Sequence, residues 1–368
     1  MKRCECARVP AVLRRTAVFL SLGLAAATCA NAAPPTLTDP TLGVATVVSG
    51  LTQPTSLAFL GRGDFLILEK ASGMVKRVTG GTVVATVLDL AVNSSSERGL
   101  LGIALDANFA ANNYVYLYWT ESSTGADSSA LSEVVQLGNR IDRFTWNSAA
   151  NTLTFSANLI QLRAVQNDKN SATQPATPTP QGNNNGGKLA TGPDGKIYAF
   201  VGDTGRRGWM QNLPNGPYLP GAADDQFGGP EPGNFHLSGV ILRLNTDGTA
   251  PADNPFFATG AGLGGQVGAN IQKIYSYGHR NGFGLAFDPI SGALWDSENG
   301  DDAFDEINKV VPGGNYGWVQ AMGPVSRIAQ FKAIETNLFS SLTAPIGSLQ
   351  QLRFPVTRIA YNLSLIHI

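Results

Sequence analysis

Cysteine is scarce in this sequence, and its few copies stand near the start. The 368 residues contain three cysteines, Cys4, Cys6 and Cys29. All three fall within a leader segment that we expect to be removed after export. The remaining chain therefore has no disulfide, no thiolate metal site and no cysteine nucleophile.

Charged residues are also few, and neither sign predominates. They make up 14% of the chain, and 26 Lys and Arg residues stand against 27 Asp and Glu residues. A protein that neutralises nucleic-acid phosphates needs a basic surface, so this balance argues against nucleic acid as the main partner. Beyond the leader no apolar run reaches the ~18 residues typical of a membrane span, so we expect no membrane-spanning segment there.

The first 32 residues have the form of a secretory signal peptide. A basic start with Lys2 and Arg3 is followed by the apolar run 17–26 and by the small-residue cleavage signal at 30–32. A membrane anchor is one alternative, although the apolar run is short for it, and a lipoprotein would need Cys29 as its modified residue. We therefore expect a protein that is periplasmic or secreted.

Glycine and proline, by contrast, are abundant, with 42 and 21 copies. Such a density of turn formers disfavours a helical bundle and favours many short strands. A repeated pattern of an apolar strand, a turn and a second apolar strand occurs four times, beginning near residues 55, 100, 187 and 284. Repeated units of three or four antiparallel strands predict a β-propeller. A β-sandwich is the alternative, but it does not explain the repeat.

Several motifs have the order and spacing of one family. They are Tyr277-Gly-His-Arg-Asn281, Gly284-Leu-Ala-Phe-Asp-Pro289, Glu298-Asn-Gly-Asp301, Asp305-Glu-Ile-Asn308 and Gly313-Gly-Asn-Tyr-Gly-Trp318, with weaker matches at 97–102, 186–195 and 202–203. Over about residues 45 to 320 the sequence resembles the soluble PQQ-dependent sugar dehydrogenases, also called the glucose/sorbosone dehydrogenase family.

This resemblance implies an all-β, six-bladed β-propeller that binds PQQ and a calcium ion and passes a hydride from a sugar to the quinone. Arg280 would polarise the quinone oxygen, and Asn281 would hydrogen-bond the cofactor. The guanidinium of Arg280 suits this polarising role because it stays charged and offers fixed donors to an oxygen that becomes anionic. A structural ion pair is the alternative for Arg280, and we expect His279 to be a packed core residue rather than a base.

The resemblance also implies calcium ligands. The backbone carbonyls of Gly300 and Asp301 match a pair that meets the active-site calcium, although the family usually has proline where Asp301 stands. Its carboxylate could add an oxygen ligand, which calcium accepts readily. Glu306 and Tyr316 match a second calcium site of some members, with an ordinary loop carboxylate and a core tyrosine as the alternative.

One position departs from the family in a way that affects catalysis. Where the family has a catalytic histidine, this chain has Asn184, and a neutral amide is a negligible base. General-base assistance is typically worth about 10²–10⁴-fold, so the reaction needs another base. Asp203, which steadies the histidine in the family, ranks first, followed by Glu97, at a position that often faces the substrate, and by His236. A salt bridge to Arg98 or to a loop arginine is the alternative for Glu97.

We therefore expect a periplasmic PQQ-dependent enzyme that oxidises an aldose or a related alcohol and passes electrons to an acceptor. A non-catalytic propeller that binds carbohydrate or protein is the alternative, motivated by Asn184, and a calcium-dependent lactonase is a third reading. The chain ends without a predicted closing strand, so we expect a truncated reading frame rather than a shorter propeller. The expected segments are a signal peptide at 1–32, one propeller at 40–361 with units near 50–90, 97–162, 184–257, 272–318 and a partial one at 338–361, and a tail at 362–368 that is foreign to the gene.

Overall fold

A computed structural model describes residues 37–165, 182–205, 217, 237–300, 304–318 and 322–323. The expected signal peptide, His236, Asp301 and everything expected of 338–368 lie outside these residues. The chain divides into one compact unit at Met1–Thr46 and a second at Val47–Ile368. In the first unit, the described residues 37–46 are exposed and contain no helix or strand. All that follows concerns the second unit.

The described part of the second unit forms four antiparallel sheets. The first sheet contains β1 (Pro54–Gly61), β2 (Asp64–Glu69), β3 (Met74–Thr79) and β4 (Thr82–Asp89). The second contains β5 (Leu100–Leu105), β6 (Tyr114–Ser122), β7 (Val134–Asn147) and β8 (Thr152–Leu162). The third contains β9 (Leu189–Thr191), β10 (Ile197–Val201), β11 (Val240–Leu244) and β12 (Ile274–Tyr277). The fourth contains β13 (Gly282–Phe287), β14 (Leu294–Glu298) and β15 (Glu306–Val310).

Each sheet is a simple meander, because every strand pairs with the next one in the sequence. The first strands of successive sheets also contact one another in chain order, β1 with β5, β5 with β9 and β9 with β13. This is a propeller-like arrangement, and it confirms the all-β prediction drawn from the repeated strand pattern. The described residues contain four of these blades.

The hydrophobic core lies in layers between consecutive sheets, and the alternation of side chains along each strand produces it. In β6, Val115, Leu117 and Trp119 join a cluster with the first sheet. Tyr116 and Tyr118, on the opposite face of the same strand, join a cluster with the third sheet. A strand that is buried on both faces therefore reads as a continuous apolar run.

The short helices lie in connections between strands. They are α1 (Phe109–Asn112), a 3₁₀ turn (Leu131–Glu133), α2 (Phe257–Leu263) and α3 (Gly265–Ile271). Over the part of the chain that the structure describes, no helix has both the length and the apolar character needed to cross a membrane.

The hairpin between β9 and β10 turns at Pro193-Asp194-Gly195, residue types that favour tight turns. The Gly192 N–H donates to the Lys196 carbonyl at 2.8 Å. Gly195 has a φ of +72°, which glycine adopts without a steric cost.

The boundary between the third and fourth sheets differs from the expected one. β12 pairs with β11, with Val240 opposite Tyr277 and Leu242 opposite Ile274. It therefore completes the third sheet, and the fourth begins at Gly282 rather than near residue 272. Two helices separate β12 from its partner in the sequence, so the hydrophobic pattern does not indicate which sheet the strand joins.

Gly102→Ala tests how closely the first strands of the second and third sheets approach. A Cβ added at Gly102 would lie 2.0 Å from the Gly187 carbonyl oxygen and 3.3 Å from the Leu189 nitrogen. Both are backbone atoms, so a strand would have to move. We expect the free energy of unfolding to fall by about 1–3 kcal/mol, as measured by denaturant titration.

Gly61→Ala is the matched control, because Gly61 lies in the first strand of the first sheet and an added Cβ there would have no atom within 4 Å. Its effect should stay within about 0.5 kcal/mol. Equal losses in the two variants would mean that the close approach at Gly102 does not constrain the fold.

Candidate active site

Five of the predicted site residues lie in loops at one end of the sheets. Glu97 and Asn184 precede the first strands of the second and third sheets, and Asp203 follows the second strand of the third. Arg280 connects the third and fourth sheets, and Gly300 follows the second strand of the fourth. In a meander the start of the first strand and the end of the second share one end of the sheet. The topology therefore gathers five segments that are far apart in the sequence.

Asp203 is a fully buried carboxylate surrounded by donors. Its Oδ1 accepts from Asn184 Nδ2 at 2.8 Å and from the Gly205 N–H at 2.7 Å, and its Oδ2 accepts from Trp318 Nε1 at 2.7 Å. Burial raises the pKa of Asp203, while the positive charge of Arg280 and these three donors act in the opposite direction. Because burial prevails, this carboxylate takes up a proton more readily than an ordinary aspartate.

Asn184 is held so that its amide oxygen is available. It has a left-handed φ of +53°, which asparagine tolerates better than most residues. Its Nδ2 faces Asp203, and because a carboxylate only accepts, this contact fixes which end of the amide is which. Its Oδ1 is buried and has no hydrogen-bond partner among the described residues. This oxygen can accept a hydrogen bond from a hydroxyl group, but it cannot take the proton.

Arg280 is buried against an aromatic ring. Its guanidinium carbon lies 5.4 Å from the centroid of the Trp318 ring, and its Nη1 donates to the Asn299 carbonyl at 3.3 Å. Its own carbonyl accepts from the Asp203 N–H at 2.8 Å. Trp318 therefore contacts Arg280 with its ring face and Asp203 with its N–H. Sequence reasoning assigned Trp318 no role, although a buried indole generally donates to a polar group.

Asn281 ties Glu97 to the loop that contains Asn184. Its Nδ2 donates to Glu97 Oε2 at 2.8 Å, and its Oδ1 accepts from the Gly186 N–H at 3.0 Å. Arg98, which the sequence offered as a salt-bridge partner for Glu97, donates to the carbonyls of Ala164 and Gly182. Glu97 is half-buried, so it lies beside the cluster of Asn184, Asp203 and Arg280 rather than inside it.

Gly300 lies next to the residue that Arg280 contacts. Its N–H donates to Asp305 Oδ1 at 2.9 Å, and its carbonyl accepts from Asn299 Nδ2 at 3.0 Å. Asn299 Oδ1 is buried and has no hydrogen-bond partner within the described part of the chain. An amide oxygen and a carbonyl oxygen are ligands that calcium prefers, so this donor set suits a hard cation. Arg280 beside it suits an anionic group.

Glu306 and Tyr316 make contacts within the fourth sheet and its following loop. Glu306 accepts from the Gly323 N–H and from Asn308 Nδ2, the latter at 3.4 Å. The Tyr316 hydroxyl donates to the Lys309 carbonyl at 2.8 Å and accepts from the Val311 N–H at 2.9 Å. The hydroxyl of Tyr316 is therefore occupied by the backbone.

Comparison with known proteins gives one consistent family. The model of the Glucose / Sorbosone dehydrogenase family matches residues 51–325. Quinoprotein glucose dehydrogenase B of Acinetobacter calcoaceticus is 32% identical over 285 residues, which cover 75% of this chain and 52% of that protein. Aldose sugar dehydrogenase YliI of Escherichia coli (strain K12) is 27% identical over 282 residues, which cover 76% and 62%. The chain thus spans about half to three fifths of the length of these relatives.

A solved structure supports the same grouping. The PQQ-bound form of aldose sugar dehydrogenase from Streptomyces coelicolor superposes with a TM-score of 0.53 at 31% sequence identity. The match covers 77% of this chain and 67% of that one. The similarity therefore extends over most of the described sheets.

Trp318→Phe should destabilise the protein in a pH-dependent way. It removes one of the three donors to Asp203, which costs the carboxylate more than the neutral acid and raises the folded-state pKa further. A folded pKa above the unfolded one means that stability falls as pH rises from the unfolded aspartate value through the folded value. We expect a loss of about 1–3 kcal/mol above that window and a smaller loss below it, measured by urea unfolding over a pH series.

Trp119→Phe is the control for the loss of a buried indole hydrogen bond, since Trp119 Nε1 donates to Asp142 Oδ2 at 2.8 Å in the second sheet. It should leave the part of the pH profile that depends on Asp203 unchanged. A loss of stability in Trp318→Phe that does not change with pH would contradict the link between Trp318 and Asp203.

Proposed function

The chain belongs to the glucose/sorbosone dehydrogenase family, and we propose that it uses PQQ and Ca²⁺ to oxidise an aldose or a related alcohol by hydride transfer. The observation that carries this proposal is the buried group of Arg280, Trp318 and Asp203, with the available oxygen of Asn184 beside it. We further propose that the whole protein forms six blades and that it is periplasmic or secreted.

The proposed binding roles are those that the family motifs imply, and all but Asp301 fall on described residues. Arg280 and Asn281 would hold the cofactor, with Arg280 supplying positive charge and directional donors. The carbonyls of Gly300 and Asp301 would hold the active-site calcium, and the Glu306 carboxylate and the Tyr316 backbone carbonyl would hold a second calcium. When bound, PQQ would supply the acceptor for the substrate's hydride.

The remaining task of the protein is to orient the substrate and remove the proton of the reacting hydroxyl group. Asn184 Oδ1 would accept a hydrogen bond from an adjacent hydroxyl group of the sugar, since that oxygen has no partner among the described residues. The proton would go to Asp203 Oδ2, which accepts from Trp318, whereas Oδ1 already accepts from two donors. Burial favours the protonated form of Asp203. Glu97 is the other candidate base in the described part of the chain.

Reconstitution tests the proposed function. We expect purified protein to take up PQQ in the presence of Ca²⁺, as measured by equilibrium dialysis and absorbance. The loaded protein should then reduce a redox dye when an aldose is added. Arg280→Gln should abolish dye reduction and weaken uptake, because the charge and the donors are lost.

Arg77→Gln is the matched control, because Arg77 in the first sheet also lies over a tryptophan, 5.5 Å from the ring centroid of Trp146 in the second sheet. It should retain both uptake and turnover. Failure of the wild-type protein to take up PQQ would contradict the proposed function. Sugar binding without PQQ would instead favour a non-catalytic carbohydrate-binding propeller.

Asp203→Asn tests the proposed base. An amide cannot take the proton, so kcat of the loaded protein should fall by about 10²–10⁴-fold, with circular dichroism showing that the fold is retained. Unchanged turnover would exclude Asp203. A loss in Glu97→Gln without a loss in Asp203→Asn would transfer the role to Glu97.

Asn184→His should have the opposite effect. An imidazole at this position would be a true base oriented by Asp203, so we expect kcat to rise at least about tenfold. Steady-state dye reduction measures the change. A histidine that gives no gain would indicate that proton removal does not limit turnover in this protein.

A further inference from the structure

The loop that carries Arg280 is fixed by a buried carboxylate. Glu298, the last residue of β14, is 3% exposed, and its Oε1 accepts the backbone N–H of Arg280. On the other side of the same residue, the Arg280 carbonyl accepts from the Asp203 N–H. The peptide groups before and after Arg280 are therefore held by the ends of two different strands, β14 and β10.

His279 in turn fixes Glu298. Its Nδ1 lies 3.0 Å from Glu298 Oε2 and 3.5 Å from Asp296 Oδ2. Because a carboxylate only accepts, Nδ1 carries a proton, while Nε2 lies 2.8 Å from Ser276 Oγ. The imidazole ring stacks on Tyr316 with a centroid separation of 4.5 Å. Both oxygens of Glu298 are thus engaged, Oε1 by the Arg280 N–H and Oε2 by His279.

The first sheet contains the same contact between a glutamate at the end of a strand and a backbone N–H, with threonine in the place of Arg280. Glu69 is the last residue of β2, the second strand of its sheet, as Glu298 is of β14. Its Oε1 accepts the Thr52 N–H at 2.7 Å, and Thr52 stands two residues before β1 as Arg280 stands two residues before β13. The first and fourth sheets therefore share the contact between the glutamate and the loop. They differ in the loop residue, which is Thr52 in the first sheet and Arg280 in the fourth.

We propose that Glu298 is a positioning residue for Arg280: its carboxylate fixes the Arg280 backbone so that the guanidinium stays over Trp318 and toward the cofactor. This inference rests on the proposed function of Arg280. The contact needs an acceptor oxygen at the right distance from the Arg280 N–H, and it does not need the negative charge. Position and charge can therefore be separated by substitution.

Two substitutions at Glu298 make that separation. Glu298→Gln keeps an oxygen at the same reach, and its amide N–H₂ can face His279 once the imidazole proton moves to Nε2, which can donate to Ser276. Glu298→Asp keeps the charge but withdraws the carboxylate by one methylene. We expect kcat of the PQQ-loaded protein to stay within about tenfold of wild type in Glu298→Gln and to fall about 10²-fold in Glu298→Asp.

A second measurement does not depend on the cofactor. Amide hydrogen exchange at Arg280 in the cofactor-free protein should be at least about tenfold faster in Glu298→Asp than in Glu298→Gln, because only the aspartate loses the acceptor. Glu69→Asp and Glu69→Gln are the matched controls. They should shift Tm as their counterparts do but leave kcat and the Arg280 exchange rate unchanged.

Three results would overturn the proposal: a greater loss of kcat in Glu298→Gln than in Glu298→Asp, equal Arg280 exchange in these two variants, or a kcat loss in Glu69→Asp as large as in Glu298→Asp. Failure of the wild-type protein to take up PQQ would contradict the proposed function of the site. In that case the exchange measurement still decides whether Glu298 holds Arg280.

Discussion

A buried anion must be satisfied by groups brought to it, and the carboxylate of Asp203 imposes this constraint on the whole site. Its donors come from the loop before β9, from its own turn and from the segment after β15. Its own N–H meets the Arg280 carbonyl. A displacement of any of these segments would leave buried polar atoms unpaired, so one carboxylate links the third and fourth sheets at the end where the site lies.

The sheets supply the stiffness that such a constraint requires. The site residues stand at or near the ends of strands that pack against a neighbouring sheet. Side chains close to the ends of rigid strands keep their positions, and the chemistry can then change by substitution at one position. Asn184 illustrates this, because its amide occupies a place in the hydrogen-bond network while its oxygen remains an acceptor and not a base.

Features that depend on neighbours in the sequence could be predicted, and features that depend on distant partners could not. The turn at Gly195 and the four strand repeats follow from local backbone preferences and from the two-residue alternation of side chains. The assignment of β12 to the third sheet does not, because its apolar residues would suit either sheet. Nor did sequence reasoning assign a role to Trp318 or Glu298, since their importance lies in the groups they meet.

The sequence by itself determined a repeated all-β architecture, a set of family motifs and an asparagine at position 184, where the family resemblance predicts a catalytic histidine. Only the tertiary structure decided which polar group finds which partner. Asn281 meets Glu97 across 184 positions, and Trp318 meets Asp203 across 115. Alternation along a strand fixes which face a side chain takes, but no local rule fixes what lies opposite. Such pairs form only when whole sheets pack and exclude water from the groups between them.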